Sequence, residues 1–171
     1  RIKMPIISTD IQYRLSGGAA NSDPNAALGG AKSSTGVGAG LHNLFDIVSS
    51  AESYSGDTEY RCVYVHNNHG SLTMQNSVIW IASNTPSADT TIEIALGSSA
   101  INGTEQTIAN ESTAPTGVTF SAPSSFGTAL SIGNIPAGQH KAVWIKRIVN
   151  AAAAAYNSDT ATITVQCDTG A

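Results

Sequence analysis

The sequence predicts an all-β protein that folds as one β-sandwich domain, of either the jelly-roll or the immunoglobulin-like type. Three observations lead to this prediction. Isoleucine and valine, which strands favour, outnumber leucine 25 to 7. About seven to nine short runs of apolar or alternating residues are separated by turn signals. The length of 171 residues suits one domain, and no long helical pattern interrupts the runs.

The chain divides into a short arm and one domain. Residues 1–10 are predicted to form an extended N-terminal arm, and residues 11–171 to form the β-sandwich. A stretch at 17–40 is rich in Gly, Ala and Ser and has almost no large apolar side chains except Leu28 and Val37. Long irregular segments are uncommon inside a domain, and many of them order against a partner. We therefore expect the arm and the 17–40 loop to be extensions of the body.

The clearest strand patterns lie in the middle and at the carboxyl end of the chain. They cover residues 59–65, 77–82, 92–96, 142–149 and 160–167. In the last of these, three threonines and Gln166 alternate with apolar residues, which is typical of a strand with one wet face. The run at 77–82 is apolar on both faces, which favours a central strand.

Two segments between the strands carry other patterns. Leu41, Leu44, Phe45 and Val48 recur at spacings of three and four, which favours one or two helical turns, with a strand through Phe45 as the alternative. The five alanines at 151–155 are too few for a stable isolated helix. We expect them to form an excursion on the surface.

Both tryptophans are expected in the core. Trp80 and Trp144 lie in the middle of strand patterns, among isoleucine and valine. A carbohydrate-binding face would instead carry aromatic rings on the polar side of a strand. The polar faces here consist of threonines, which weakens a carbohydrate-binding interpretation without removing it.

Cys62 and Cys167 both lie in strand-like runs. Cysteine is among the most buried residue types, so we expect two small buried side chains. A disulfide between them would require that their strands be neighbours.

Composition and motifs argue against several classes of function. Eight basic residues against twelve acidic ones argue against a nucleic-acid surface. No apolar run approaches the ~18 residues of a membrane span. There is no nucleophile elbow, and none of the four histidines lies in a pattern that marks a catalytic base. The sequence therefore predicts no enzyme, no cofactor and no small-molecule substrate.

No metal site is predicted either. Glu52, Asp57 and Glu59 lie in a Ser/Gly-rich segment before a strand, where a solvated surface is the expected role. His66 and His69 are three residues apart, but a zinc site needs further ligands at recognisable spacing.

Six short segments together carry a family resemblance. They are 10–18 (DIQYRLSGG), 21–30 (NSDPNAALGG), 44–46 (LFD), 56–62 (GDTEYRC), 132–139 (IGNIPAGQ) and 143–147 (VWIKR). In this order they resemble a family of small virion structural proteins of tailed bacteriophages, over nearly the whole chain from Asp10. The size and fold are similar to those of capsid decoration or cement proteins. The motifs are structural, so the resemblance transfers no active-site residues.

The resemblance implies a protein on the exterior of the capsid, assembled in the cytoplasm of the bacterial host. Its partners would be the major capsid protein, at junctions between subunits, and further copies of itself, with a homotrimer as one arrangement. The alternative is a tail or fibre component that binds a host-surface glycan or protein. The partner-binding side chains are expected on the arm and the 17–40 loop, at Ile2, Met4, Ile6, Ile7, Leu28 and Val37.

Overall fold

The computed structural model describes residues 5–169, in which nine strands, one short α-helix and three 3-10 turns occur. The strands are β1 (Ile11–Leu15), β2 (Gly29–Gly30), β3 (Asp57–Asn67), β4 (Met74–Ser83), β5 (Thr90–Leu96), β6 (Glu105–Thr107), β7 (Leu130–Ile135), β8 (His140–Val149) and β9 (Thr162–Thr169). The helix α1 is Ser50–Ser55, and the 3-10 turns are Ser8–Asp10, Pro24–Ala26 and Phe126–Thr128. The prediction of an all-β protein is confirmed.

The larger sheet has the strand order β1-β3-β8-β5, and all of its neighbours are antiparallel. β3 and β8 form its centre, and they pair from Asp57 opposite Val149 to His66 opposite His140. Their nearly continuous burial is what a strand covered on both faces shows.

The smaller sheet has the order β7-β4-β9 and packs face to face against the larger one. Ile79 and Ile81 of β4 point inward, together with Val165 of β9. β4 shifts register near Asn76, which has a positive φ of 50°, so the alternation of the strand restarts after this irregularity.

The main core lies between these two sheets. It contains apolar side chains from seven strands and two loops, namely Leu15, Ala27, Leu44, Val63, Val65, Met74, Ile79, Ile81, Ile92, Ile94, Ile132, Ile135, Val143, Ile145 and Val165. The β-branched residues that dominate the composition are thus the ones that fill the space between the sheets.

A third layer covers the outer face of the larger sheet. Tyr64 and Trp144 on that face are fully buried, beneath Leu28, Ile108 and Phe120 from two long loops. The two-stranded β2-β6 ribbon belongs to this layer. This cover explains why the larger sheet is apolar on both sides.

Glu105 joins the third layer to the sheet. Its carboxylate accepts hydrogen bonds from the backbone N–H groups of Ser98 and Ser99, at 3.1 and 2.8 Å, and from the Trp144 indole at 3.3 Å. Burial acts to raise the pKa of Glu105, but these hydrogen bonds outweigh it and lower the pKa to about 2. A Cβ at Gly97 would lie 2.3 Å from this carboxylate, so the position requires glycine.

The 17–40 loop folds onto its own domain. The N–H of Leu15 donates to Thr35 O, and the N–H of Val37 donates to Tyr13 O, so part of the loop lines the free edge of β1. The loop also covers the exposed edge of β3, where the N–H of Cys62 donates to Ala27 O. The prediction that this segment extends away from the domain is wrong. Because β1 is short, backbone N–H and C=O groups at the edges of β1 and β3 would lack partners, and the loop supplies them.

The helical turns predicted at 41–48 do not form; that segment is irregular, and α1 begins two residues later. α1 begins at a capping box, in which Ser49 Oγ accepts from the N–H of Glu52 and the Glu52 carboxylate accepts from the N–H of Ser49. Among the described residues, no helix is long and apolar enough to span a membrane.

The expectation of core packing holds for Trp144 and is wrong for Trp80. Trp144 is fully buried, whereas Trp80 is half-buried on the outer face of the smaller sheet, beside Thr164 and edge-on to Phe126. No third layer covers that face within residues 5–169. Cys62 is buried as expected, Cys167 is half-buried, and both thiols are free.

Truncation of the two tryptophans should therefore have unequal effects. Trp144→Ala should lower the free energy of unfolding by about 3–5 kcal/mol, because it removes a fully buried ring. Trp80→Ala should cost less, about 1 kcal/mol, because its ring is only partly buried. Urea unfolding of both variants measures the difference, and equal costs would contradict the placement of Trp80.

The pKa of Glu105 predicts acid sensitivity. Because the folded-state pKa of about 2 lies below the ordinary value of 4.5, the carboxylate stabilises the fold fully above pH 4.5. This stabilisation, about 3 kcal/mol from the shift, is lost as the pH falls toward 2. Glu105→Gln should lower stability at pH 7 and flatten its pH dependence in this range.

The matched control is Glu93→Gln, since Glu93 is a half-exposed carboxylate on the same side of the larger sheet. It should leave the acid transition nearly unchanged. An equally flat dependence of stability on pH for Glu93→Gln would contradict the assignment of the acid sensitivity to Glu105.

Candidate functional site

A buried ion pair lies where β3 begins and β8 ends. Glu59 and Arg147 are opposite each other in the register, on the face that looks toward the smaller sheet. Arg147 Nε donates to Glu59 Oε2 at 2.5 Å, and the Glu59 side chain is 1% exposed. Burial raises the pKa of Glu59, although both Arg147 and Arg61 act to lower it.

Arg61 and Phe45 complete an arginine–glutamate cluster with this pair. Both guanidinium groups lie over the ring of Phe45, with Arg61 Cζ at 5.3 Å and Arg147 Cζ at 5.0 Å from its centre. Arg61 Nη2 lies 3.9 Å from Glu59 Oε1, which has no hydrogen-bond partner among the described residues. The stacking is a cation–π contact in a desolvated place, where such contacts are strongest.

The cluster attaches three loops to the larger sheet. Arg147 Nη1 donates to the backbone oxygen of Asp46 at 2.6 Å. Arg61 Nη2 donates to Glu111 Oε2 at 2.5 Å and to Asn25 Oδ1 at 3.2 Å. Segments that are distant in the chain therefore converge on two guanidinium groups.

A cavity of about 580 Å³ lies beside the cluster, between the two sheets. Its walls are apolar side chains from both sheets, namely Val63, Ile79, Ile92, Val143, Ile145 and Ile163. Segments 37–48 and 156–161 border its opening. Protein interiors normally contain few voids larger than a water molecule, whereas ligand pockets measure about 300–1,000 Å³. The cavity therefore has the size of a binding pocket.

Three large apolar side chains are exposed around this opening and a fourth, Tyr54, is exposed at the same end of the sandwich, and we call the four the apolar rim. They are Leu41 (52% exposed), Ile47 (69%), Tyr54 (84%) and Tyr156 (53%). Leu41, Ile47 and Tyr156 line the cavity itself. Tyr54 is brought to the same end because its backbone oxygen accepts from the N–H of Ala152, at 3.2 Å.

As expected, the alanines at 151–155 lie on the surface.

Most of the acidic residues lie in this half of the sandwich, which we call the acidic end. Hydrogen bonds, ion pairs and strand register place eight acidic side chains there, Asp46, Glu52, Asp57, Glu59, Asp89, Glu93, Glu111 and Asp159. They are accompanied by three basic ones, Arg61, Lys146 and Arg147. Since the formal net charge of the chain is −4, this half carries all of its negative excess.

Glu52, Asp57 and Glu59 come together at this end, with carboxylate oxygens within 4.8 Å of one another. The expectation of a solvated surface is wrong for Glu59, which is fully buried because Arg147 compensates its charge. Glu52 is also engaged, since its Oε2 accepts from the N–H of Ser49 at 2.6 Å. Glu59 thus acts in an ion pair and Glu52 in a helix cap.

The structure separates the predicted partner-binding residues. Leu28 and Val37 are partly buried against the domain's own core, where they have packing roles. Ile6 is also partly buried against the core, while Ile7 is 55% exposed. Ile2 and Met4 lie outside the described residues. The apolar rim was not among the predicted residues, although its members are visible in the sequence as large apolar residues within polar segments.

Breaking the buried ion pair should be costly. Arg147→Met should lower the free energy of unfolding by about 3–5 kcal/mol, because Glu59 would remain buried without its hydrogen-bonded partner, and Arg61 lies 3.9 Å away. Adding Glu59→Gln to this variant should recover part of the loss. Urea unfolding at pH 7 measures all three proteins.

Lys146→Met serves as the control, because Lys146 is the neighbouring residue on β8 and forms a half-exposed pair with Glu93 at 2.8 Å. It should cost about 0–1 kcal/mol. Equal losses of unfolding free energy for Lys146→Met and Arg147→Met would show that the buried ion pair contributes no more to stability than the exposed one.

Comparison with known proteins gives no relative from which residue roles could be transferred. No family model matches the chain, and no curated protein and no solved structure matches it significantly.

Proposed function

We propose that this protein is a non-enzymatic structural protein of a tailed-phage virion, which decorates or cements the capsid by binding at junctions between major capsid protein subunits. The observation that carries the proposal is the apolar rim. Isolated exposed apolar residues are normal on protein surfaces, but a group of large ones around one opening marks an interaction site. The resemblance from Asp10 onward supplies the virion context.

The composition of the rim favours a protein partner. Two of its four members are tyrosines, a residue type enriched in protein interfaces and among the side chains that dominate binding energy. Two of its members, Leu41 and Ile47, lie on the segment that the arginine–glutamate cluster holds to the sheet through Asp46. A preorganised surface loses less entropy on binding than a flexible one.

Decoration of a shell also suits modest individual affinity. A shell presents the same junction many times, so a protein that also associates with itself gains by multivalency. Low charge, at 12% of residues, limits the sensitivity of such contacts to salt. On this proposal the protein lies on the exterior of the capsid.

A second candidate is a tail or fibre component that binds a host-surface glycan. The observation that favours it is the pair of Trp80 and Phe126 on the outer face of the smaller sheet, with ring centres 6.1 Å apart. Phe126 is 60% exposed, and Thr164 and Gln166 of β9 flank the pair. Exposed rings among hydroxyl and amide groups can stack on sugars.

Copy number separates the two candidates. We expect quantitative mass spectrometry of purified particles to give a ratio to the major capsid protein near one to one, or one trimer per local threefold axis. A few copies per hundred capsid subunits, as an order of magnitude, would instead favour the tail candidate. Absence from the particle would overturn both.

The rim gives a sharper test of the attachment surface. Ile47→Ser combined with Tyr54→Ser should weaken binding to particles stripped of this protein by about tenfold or more, as for the loss of central interface contacts. Phe126→Ser is the matched control, since it also removes a large exposed ring but lies on another face. A loss of binding only in the control would contradict the role of the rim.

A further inference from the structure

Basic side chains gather on the outer face of the larger sheet, at the end opposite the acidic end. In the strand register, His66 of β3 lies between Gln12 of β1 and His140 of β8. Arg14 lies two residues further along β1, on the same face, and its terminal nitrogens donate to Ser34 O and Gln12 Oε1. Side chains opposite each other in antiparallel strands have Cβ atoms about 5 Å apart. The arginine and both histidines therefore occupy one small area of this face.

The Gly/Ala/Ser-rich loop brings Lys32 to the same area. The loop is fixed on both sides of this lysine by hydrogen bonds to the sheet. Gly30 O accepts from the Tyr64 hydroxyl at 2.6 Å, and the N–H of Ser33 donates to Leu15 O at 2.8 Å. The backbone around Lys32 thus has a defined position over the ends of β1 and β3.

These basic side chains act on one another as like charges. Burial lowers the pKa of His66 and of His140, and the nearby charge of Lys32 lowers both further. Burial also lowers the pKa of Lys32, and the charge of Arg14 lowers it further. We call Arg14, Lys32, His66 and His140 the basic cluster.

No carboxylate compensates the basic cluster within residues 5–169, where none of its members forms an ion pair. The acidic side chains on neighbouring segments are engaged elsewhere. Asp10 accepts from the N–H of Ile7 at 2.9 Å, and Glu105 joins the third layer to the sheet. Lys141, the residue after His140, alternates to the other face and donates to Gly97 O at 2.9 Å.

Three buried nitrogen atoms of the cluster have no hydrogen-bond partner among the described residues. They are Arg14 Nε, His66 Nδ1 and His140 Nδ1, which are three of the six such side-chain atoms in that part of the chain. His66 is only 9% exposed. Buried polar atoms without partners destabilise a fold, and both ring nitrogens of a protonated histidine are donors. An anion that accepts hydrogen bonds would compensate the charges and the donors together.

Two histidines on adjacent strands are also a pair of potential metal ligands, but the surroundings disfavour a cation. The permanent charges of Arg14 and Lys32 repel one, and a metal site needs further ligands. Within residues 5–169, the one group of three potential metal ligands lies at the acidic end. The charges and the unpartnered nitrogens therefore both favour an anion.

We infer that the basic cluster is a binding site for a dianionic oxyanion, a phosphate group, held by the charges of Arg14 and Lys32 and by hydrogen bonds from His66 and His140. Two permanent positive charges match the two negative charges of a phosphate, whereas a carboxylate would neutralise only one. The bound anion would connect the loop to β1, β3 and β8. This inference does not depend on the virion assignment.

Isothermal titration calorimetry of the full chain with inorganic phosphate tests the site, at an ionic strength kept constant with sodium chloride. We expect saturable binding, which Lys32→Met weakens by about tenfold or more, the loss of one charge-assisted contact. Lys146→Met is the matched control, because it removes a lysine at the acidic end, and it should leave binding unchanged. Phosphate should raise the melting temperature of the unaltered chain and of the control, and have little effect on Lys32→Met. Phenyl phosphate identifies the source, since a site for free phosphate excludes the ester and a site for a phosphorylated molecule accepts it.

The affinity for sulfate tests the histidines, because sulfate stays a dianion over a pH range in which phosphate gains a proton. A bound anion favours protonated histidines, so binding takes up protons and sulfate should bind more tightly as the pH falls from about 8 to about 5.5. His140→Gln should make this dependence on pH weaker. Urea unfolding of each variant without added anion checks that the variant is folded.

Three results would overturn the inference. The first is a phosphate effect that sodium chloride reproduces at equal ionic strength, since it would be general screening. The second is phosphate binding that Lys32→Met leaves unchanged, since the cluster would not be the site. The third is an affinity for sulfate that does not change with pH, since the histidines would not contact the anion.

Discussion

The buried pair of Glu59 and Arg147 is the constraint on which the rest of the molecule depends. Removing two charges from water has a desolvation penalty that their mutual attraction only partly offsets, so the pair makes a small net contribution to stability. Its main effect is to fix the positions of other segments. With Arg61 and Phe45 it forms one point at which segments near residues 25, 46 and 111 attach to the larger sheet. Loops that lack regular structure thereby acquire defined positions.

The cavity follows from the same arrangement. Asp46 is held at Arg147, and the 37–48 segment around it lines the cavity between the sheets without filling it completely. Leu44 reaches the core, while Leu41 and Ile47 remain in water. Apolar surface left exposed in this way lowers the stability of the isolated domain, and it becomes favourable when another chain covers it. The proposed attachment uses this exposed apolar surface.

The two candidate functions use different faces of the sandwich. The apolar rim and the cavity belong to the acidic end, whereas Trp80 and Phe126 lie on the outer face of the smaller sheet. The outer face of the larger sheet is not available to either, because Glu105 and the loops around it cover that face. One surface can therefore be altered without disturbing the other, which allows the candidates to be tested separately.

The all-β class and the main strands were predictable from the sequence, because alternation along a strand is a local property that each segment carries by itself. What covers each face was not predictable. Trp80 and Trp144 have similar local surroundings, yet only Trp144 lies beneath a third layer, and that layer comes from residues far away in the chain. Glu59 has the sequence context of a surface residue and is buried, because the pairing of β3 with β8 places Arg147 opposite it. The 17–40 loop folds back because β1 is short and leaves edges to satisfy. Strand pairing and layer order are long-range properties, so only the tertiary structure decided the cavity, the rim and the acidic end.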